Sequence, residues 1–383
     1  MKAVVLAAPR RMEVREVPDA QPRAGEALVR IEAVGLCGSD HHIWTGEANY
    51  NFDARGRAIP LQEQPQILGH EITGVVVEAA AGTGLKPGTR VIVDQGLNCA
   101  SRGRARAGWC GYCASGHTHQ CTDYAEHGIT GLQGGLAEAV AVPATNCVPL
   151  QSDLPPRLAA VAEPLACVLH ASEMVAAAHA RFAIGAADPA RRAASILLTG
   201  AGTAGLLFVQ VLRRVLGFDG LLIVSEPDPR KRLLAERFGA TGLDPCAEDL
   251  AEATARLTGG RRVEYLIEAS GSGRVFEQIP GLIRKQATIL LYGYGHAGTG
   301  LEALNPVHWF EPVLVAPTGA SGALDPDGRP AIYRRALRLL ESGTVRAEEI
   351  VTDVVPGLAA TPAAFENWGR NPASIKGVVQ IER

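Results

Sequence analysis

The sequence predicts an α/β protein of two domains, one irregular and β-rich, the other built on a doubly wound parallel sheet. Three observations carry this. Up to about residue 150, short β-like runs are separated by Gly- and Pro-containing turns. Beyond that point β-like runs alternate with helical stretches, as a helix-covered parallel sheet requires. One of those runs leads straight into a glycine cluster and a helix. With 383 residues the chain has material for two separate cores.

In the first region the β-like runs are 27–34, 72–78 and 90–94, with turns such as Lys86-Pro-Gly88. The Ala- and Leu-rich stretch 158–178 is expected to be largely helical. Strands are then expected at 195–199, 220–224, 263–267 and 288–292, and helices at 204–216, 229–238 and 274–283. A helix at 329–342 and a strand at 377–382 complete the chain, the strand returning to the first domain. The expected division is 1–165 with 323–383 for the β-rich domain, carrying a lobe at about 95–125, and 166–322 for the parallel-sheet domain.

Composition narrows the function classes. Apolar residues are 47% and charged residues 20%, ordinary for a soluble enzyme, and the net charge of -3 offers no general attraction to nucleic acid or anionic membrane. The one basic run, Arg102, Arg104 and Arg106, reads as a solvated loop. The opening MKAVVLAAPRRMEV is too short a run for a signal segment and reads as a first strand. No uninterrupted apolar run spans a bilayer, so the cytoplasm is the expected location. In that reducing compartment eight cysteines point to metal ligation before disulfides.

The run SILLTGAGTAG, from Ser195 to Gly205, is a strand ending in a GxGxxG fingerprint. Gly200 permits the tight turn, Gly202 lets a pyrophosphate approach the backbone, and Gly205 lets the helix pack closely. Thr203 and Ala204 open that helix, whose N-terminus faces the phosphates. Glu226 closes the next strand, LLIVSEP, where a carboxylate accepts the ribose hydroxyls. It disfavours a 2′-phosphate and so selects NAD over NADP, although Arg230, Lys231 and Arg232 stand nearby, Lys231 within reach of the cofactor.

Two groups of metal-ligand residues remain. Cys110 and Cys113 form a CxxC, with Cys121 after it and Cys99 before, and four thiolates in a short loop suit a closed structural zinc site. The second group is dispersed: Cys37 in GLCGSDHH, and His70 with Glu71 in LGHEITG. Such ligands suit a zinc with an open position. By spacing alone Cys37, His41 and His42 are equally well ordinary loop residues.

Taken together, VGLCGSDHH, GHE, GGLAE, AEPL with His170, and the glycine fingerprint form an ordered set. The set resembles the zinc-containing medium-chain alcohol dehydrogenases, over nearly the whole chain, and within them the sorbitol, butanediol and threonine dehydrogenase branch. The resemblance implies a GroES-like catalytic domain, a Rossmann NAD-binding domain, and two zinc ions per subunit. Cys37 and His70 are then ligands of the catalytic zinc, with Glu71 a ligand or exchangeable near-ligand. Glu163 stands where typical alcohol dehydrogenases have a cysteine, and binds directly or through water. Asp40 holds the histidine ligand in place. Cys99, Cys110, Cys113 and Cys121 match the structural lobe, with Cys99 displaced by an insertion at 100–109. The segments 47–66 and 177–193 are also longer than usual for the family.

The same resemblance gives Ser39 the substrate proton and makes His42 its exit to solvent, with His41 the competing candidate. The hydride goes to NAD. Trp44 is expected either to line the substrate pocket or simply to pack, and Asn49, Tyr50, Asn51 and Asp53 offer polar contacts to a hydroxyl-rich substrate. Glu163 favours polyols, sugars and vicinal diols, with threonine or another hydroxy acid as the alternative. A nucleic-acid-binding zinc ribbon and an NAD sensor without turnover leave the GHE motif or the full ligand set unexplained. A homo-oligomer, dimer or tetramer, is expected from the cysteine lobe.

Overall fold

The computed structural model describes residues 1–296 and 298–381. It separates into two compact units, Met1–Ala166 with Ala320–Arg383, and Cys167–Gly319.

The first unit opens with the hairpin β1 (Lys2–Ala8) and β2 (Arg11–Glu16). β3 (Glu26–Gly35) alternates buried and half-buried positions, then becomes fully buried over Ala33–Gly35. That is the pattern of a half-covered strand running into the interior. α1 (Gly38–Thr45) follows at once and stops at Gly46, whose φ of 84° is the left-handed conformation of a helix C-terminus. β4 (Glu71–Ala79) and β5 (Arg90–Val93) pair in sequence, and β6 (Gly96–Leu97) leads to the cysteine lobe. The lobe holds the short helix α2 (Gly111–Ala114) and ends at β7 (Ala125–Glu126), which pairs with β6. β8 (Ala139–Pro143) and β9 (Cys147–Pro149) complete this stretch.

The stretch 158–178 is largely helical as expected, with a turn at 160–161 between α3 (Pro156–Ala159) and α4 (Ala162–Ala177). By length and composition the run Pro156–Ala177 is apolar enough to cross a membrane, but 78% of its most apolar window is buried, as in a core helix.

The second unit starts with β10 (Ser195–Thr199), α5 (Thr203–Gln210), β11 (Leu221–Ser225) and α6 (Pro229–Arg237). It continues through β12 (Thr241–Leu243), α7 (Leu250–Leu257) and β13 (Val263–Glu268). The helix expected over 274–283 is only two short turns, α8 (Gly273–Phe276) and α9 (Ile279–Leu282). Pro280, which lacks an N–H and fixes its φ, prevents one continuous helix. The strand expected from 288 starts earlier, as β14 (Ile283–Leu291), and β15 (Val313–Val315) was not anticipated. All pairings are parallel, in the order β12-β11-β10-β13-β14-β15. β10 and β13 are buried along their whole length, which explains their unbroken apolar runs.

The chain then supplies α10 (Ala331–Glu341), β16 (Val351–Pro356), α11 (Gly357–Glu366) and β17 (Lys376–Gln380). β17 inserts beside β3, giving the first unit a sheet ordered β16-β17-β3-β4-β5-β9, with β8 also on β3. Glu382, the expected last residue of that strand, lies outside the described residues. The first core gathers Val29, Ile31, Ile72, Leu136 and Phe365, the second Leu197, Ile223, Leu266 and Ile289.

Candidate active site and metal centres

Cys37, His70 and Glu71 come from the end of β3 and the start of β4, where antiparallel pairing sets Gly35 opposite Glu71. Their ligand atoms lie within 4.8 Å of one another. Asp40, fully buried in α1, organises the group. Its Oδ2 accepts the Cys37 N–H at 2.9 Å, its Oδ1 accepts the Gly69 N–H at 3.1 Å, and the same Oδ1 lies 3.4 Å from His70 Nδ1. Burial alone depresses the His70 imidazole, but the Asp40 carboxylate outweighs it and holds the pKa well above the ordinary value. A thiol, an imidazole and a carboxylate are donors that zinc takes. One Glu71 oxygen, Oε2, is buried without a hydrogen-bond partner. Gly35 makes room for it, since a Cβ there would stand 1.9 Å from that oxygen.

The other Glu71 oxygen meets a residue that the sequence did not single out. Lys376 Nζ donates to Glu71 Oε1 at 2.5 Å and to the Leu36 carbonyl at 2.8 Å, in a side chain 2% exposed. Glu163, in the first turn of α4, lies outside the group. Its Oε1 accepts instead from Gln95 Nε2 at 3.0 Å. Gln95 was likewise unmarked in the sequence: a lone amide after a strand carries no signal, and only its buried neighbours reveal it.

Ser39 Oγ donates to Cys37 Sγ at 3.2 Å. His42 Nδ1 lies 2.8 Å from Glu47 Oε2, in a side chain 30% exposed. His41 is placed differently, stacked on Trp368 at 5.2 Å and near Trp44 at 5.5 Å. Burial, then the neighbouring His42, pushes its pKa down. Trp44 is only 5% exposed and packs against Phe365, with Arg10 over its ring. These contacts are those of a packing tryptophan, one of its two expected roles. The polar residues of 47–66 are also spent locally. Asn49 donates to the Ile59 carbonyl, Asn51 to Gln64, and Asp53 accepts from Arg55 and Arg57.

All four lobe cysteines converge, Cys99 included, with their sulfurs within 4.8 Å of one another. Cys99 and Cys121 sulfurs are 3.7 Å apart, and those of Cys110 and Cys121 4.0 Å. Zinc–thiolate bonds of about 2.3 Å in a tetrahedron require sulfurs about 3.8 Å apart. Backbone N–H groups of Cys113 and then Thr122 draw the Cys110 thiol down to about 6, while burial pushes Cys113 and Cys121 up. The insertion is exposed from Arg102 to Gly108, as a solvated loop is, and is tied to the lobe by two arginines. Arg102 and Arg104 both clasp Asp123, and Arg104 reaches Cys99 Sγ at 3.7 Å.

In the second unit Gly200 has φ of 92°, and a Cβ on Gly205 would meet the Gly200 carbonyl at 2.0 Å. Gly202 precedes α5 with no side-chain cap and has open space around it, the local geometry that an anion-receiving helix N-terminus requires. Glu226 is 7% exposed and accepts the Ala201 N–H at 2.7 Å and the Asp228 N–H at 3.0 Å. Arg232 is held by the Glu226 and Pro227 carbonyls and by Asp244. Arg230 lies 3.8 Å from Asp228, and the Lys231 backbone caps on that same carboxylate.

Residues 23–152 match the family model of the alcohol dehydrogenase GroES-like domain, and residues 204–341 that of the zinc-binding dehydrogenases. Erythritol/L-threitol dehydrogenase of Mycolicibacterium smegmatis is 31% identical over 93% of this chain and 91% of its own length. L-Threonine 3-dehydrogenase of Pyrococcus furiosus is 29% identical, over 92% and 91%. A zinc-binding dehydrogenase of Sinorhizobium meliloti 1021, solved with NADP, superposes with a TM-score of 0.78 at 27% identity, covering 99% of this chain and 98% of that one. The chain belongs to the zinc-containing medium-chain alcohol dehydrogenase superfamily, and is a dehydrogenase with zinc and a nicotinamide cofactor.

Proposed function

We propose that the enzyme oxidises a secondary alcohol of a polyol, sugar or vicinal diol with NAD. The observation that carries this is the carboxylate Glu163, hydrogen-bonded to Gln95 and near enough to raise the pKa of Lys376, the partner of Glu71, at the chain position where typical alcohol dehydrogenases have a third thiolate. The relative acting on erythritol and L-threitol supports it, as does L-galactonate-5-dehydrogenase of Escherichia coli at 27% identity. The threonine dehydrogenase similarity supports a second reading, a hydroxy amino acid substrate.

In this reading Cys37, His70 and Glu71 hold the catalytic zinc, and Cys99, Cys110, Cys113 and Cys121 a second, structural one. When bound, the catalytic zinc supplies Lewis acidity that lowers a hydroxyl's pKa, and the nicotinamide accepts the hydride. Asp40 fixes His70 in orientation. Ser39 receives the substrate proton. His42 and Glu47, paired and partly exposed, deliver it to solvent, whereas His41 belongs to the aromatic packing. Gly200, Gly202, Thr203, Ala204 and Gly205 cradle the pyrophosphate and Glu226 takes the ribose, with Lys231 at the rim. With Arg232 engaged on carbonyls, a 2′-phosphate lacks its cation there, which supports NAD.

The enzyme is further proposed to be a cytoplasmic homo-oligomer, dimer or tetramer. Among the described residues β15 is an unpaired sheet edge, with Leu314 46%, Leu301 79% and Trp309 82% exposed. The test is NAD reduction over a panel of tetritols, hexitols, inositols, butanediol and threonine, with zinc measured on the same sample. Turnover of a polyol with two zinc ions per chain is expected; turnover of threonine alone gives the second reading.

A further inference from the structure

We propose that Gln95 is a positioning residue that, locked in place by Tyr333, holds the Glu163 carboxylate away from the metal-binding trio. The proposal rests on the reading of Cys37, His70 and Glu71 as metal ligands.

Gln95 is 2% exposed and Tyr333 fully buried. A primary amide has two donors on one side and an acceptor on the other. Gln95 Nε2 lies 3.0 Å from Glu163 Oε1 and 3.4 Å from Glu126 Oε1, while its Oε1 accepts the Tyr333 hydroxyl at 2.7 Å. The opposite amide orientation sets its oxygen against two carboxylates and removes the acceptor from Tyr333. The orientation is therefore fixed from three sides.

The backbone on either side is clamped as well. Asn146 Nδ2 donates to the Asp94 and Gly96 carbonyls, both at 2.7 Å, and Asp94 Oδ1 accepts the Gly96 N–H at 2.9 Å. Glu126 is engaged in turn by the Tyr124 hydroxyl at 2.7 Å. A rigid donor thus meets Glu163 on a side chain long enough to reach elsewhere. Its oxygens are absent from the set lying within 4.8 Å of Cys37, His70 and Glu71. Keeping a second carboxylate out leaves a metal position open for substrate, as catalytic zinc requires.

The test replaces the catalytic zinc with cobalt while the lobe retains zinc, using Cys37→Ser as the blank, and reads the visible d–d bands, whose intensity falls as coordination number rises. Gln95→Leu is expected to lower the band intensity and kcat, with KM for NAD unchanged. Tyr333→Phe, which keeps the ring and removes only the hydroxyl, is expected to do the same more weakly. Both spectral changes are expected to vanish in a Glu163→Ala background, because they run through Glu163. Bands unchanged in both variants overturn the proposal, and so does a change that persists without Glu163. Absence of any Cys37-dependent band in the unmutated enzyme strikes the metal reading itself, and the proposal with it.

Discussion

Lys376, on the closing strand, and Glu71, on β4, are joined by a 2.5 Å ion pair in which both side chains are essentially removed from solvent. Residues 305 positions apart thus meet at the Cys37–His70–Glu71 group. Burial resists the charge on Lys376, but the Glu71 carboxylate outweighs it and raises the lysine's pKa. Removing one partner strands a buried charge. Lys376→Met is expected to cost about 3–5 kcal/mol, measured by denaturant unfolding. Glu71→Gln in the same chain is expected to recover part of that loss; simple additivity of the two would show that they do not act as a pair.

Gly35 is the steric counterpart of that pair. In Gly35→Ala the new methyl group collides with Glu71 Oε2, whose carboxylate cannot swing freely because Lys376 grips its other oxygen. Loss of activity and weakened zinc retention are expected, with far-UV circular dichroism unchanged. Full activity would show that Glu71 has no role at that position.

The four lobe thiols, proposed to hold the structural zinc, differ in acidity. After zinc removal Cys110 is expected to react with iodoacetamide along a profile with midpoint about 6, its thiolate present above that pH. Cys113 and Cys121, with raised pKa values, stay protonated well into the alkaline range. Peptide mapping identifies the alkylated residue, and added zinc is expected to block the reaction.

The two neighbouring histidines separate by environment. His42→Ala is expected to slow turnover by up to about 10²-fold, the lower end of general acid–base effects, and to make the rate more dependent on pH while zinc is kept. His41→Ala removes a ring from the Trp44–Trp368 stack and is expected to lower Tm with little change in the pH profile. Reversed behaviour would move the proton exit to His41.

Glu226 holds the fingerprint turn through the Ala201 N–H, and in the proposed reading it also takes the ribose. Glu226→Ala is expected to raise the NAD KM far more than the NADP KM. Equal increases would mean that it serves the turn alone.

Much of the second unit was legible because its signals are local. A GxGxxG between strand and helix is dictated by steric requirements a few residues apart, as the φ of Gly200 and the contact at Gly205 illustrate. The weak points were also local conflicts. Pro280 breaks an apolar stretch that reads as helix, and the three-residue strands β12 and β15 are too short to show a period. The CxxC announced the lobe, but whether Cys99 joined it depended on how the insertion folds, and the structure places its sulfur with the other three.

The family, the GxGxxG turn with Glu226 and the residue types of both candidate metal groups were readable from the chain alone, because their chemistry is written in short contiguous motifs. Only the tertiary structure decided how those groups are held. It set Lys376 against Glu71, fitted Gly35 beneath that carboxylate, drew Glu163 to Gln95, and packed Trp44 and His41 among aromatic rings. The reason is physical: what a buried polar group does depends on which distant partners satisfy it, and those are supplied by strand pairing and chain return rather than by neighbours in sequence.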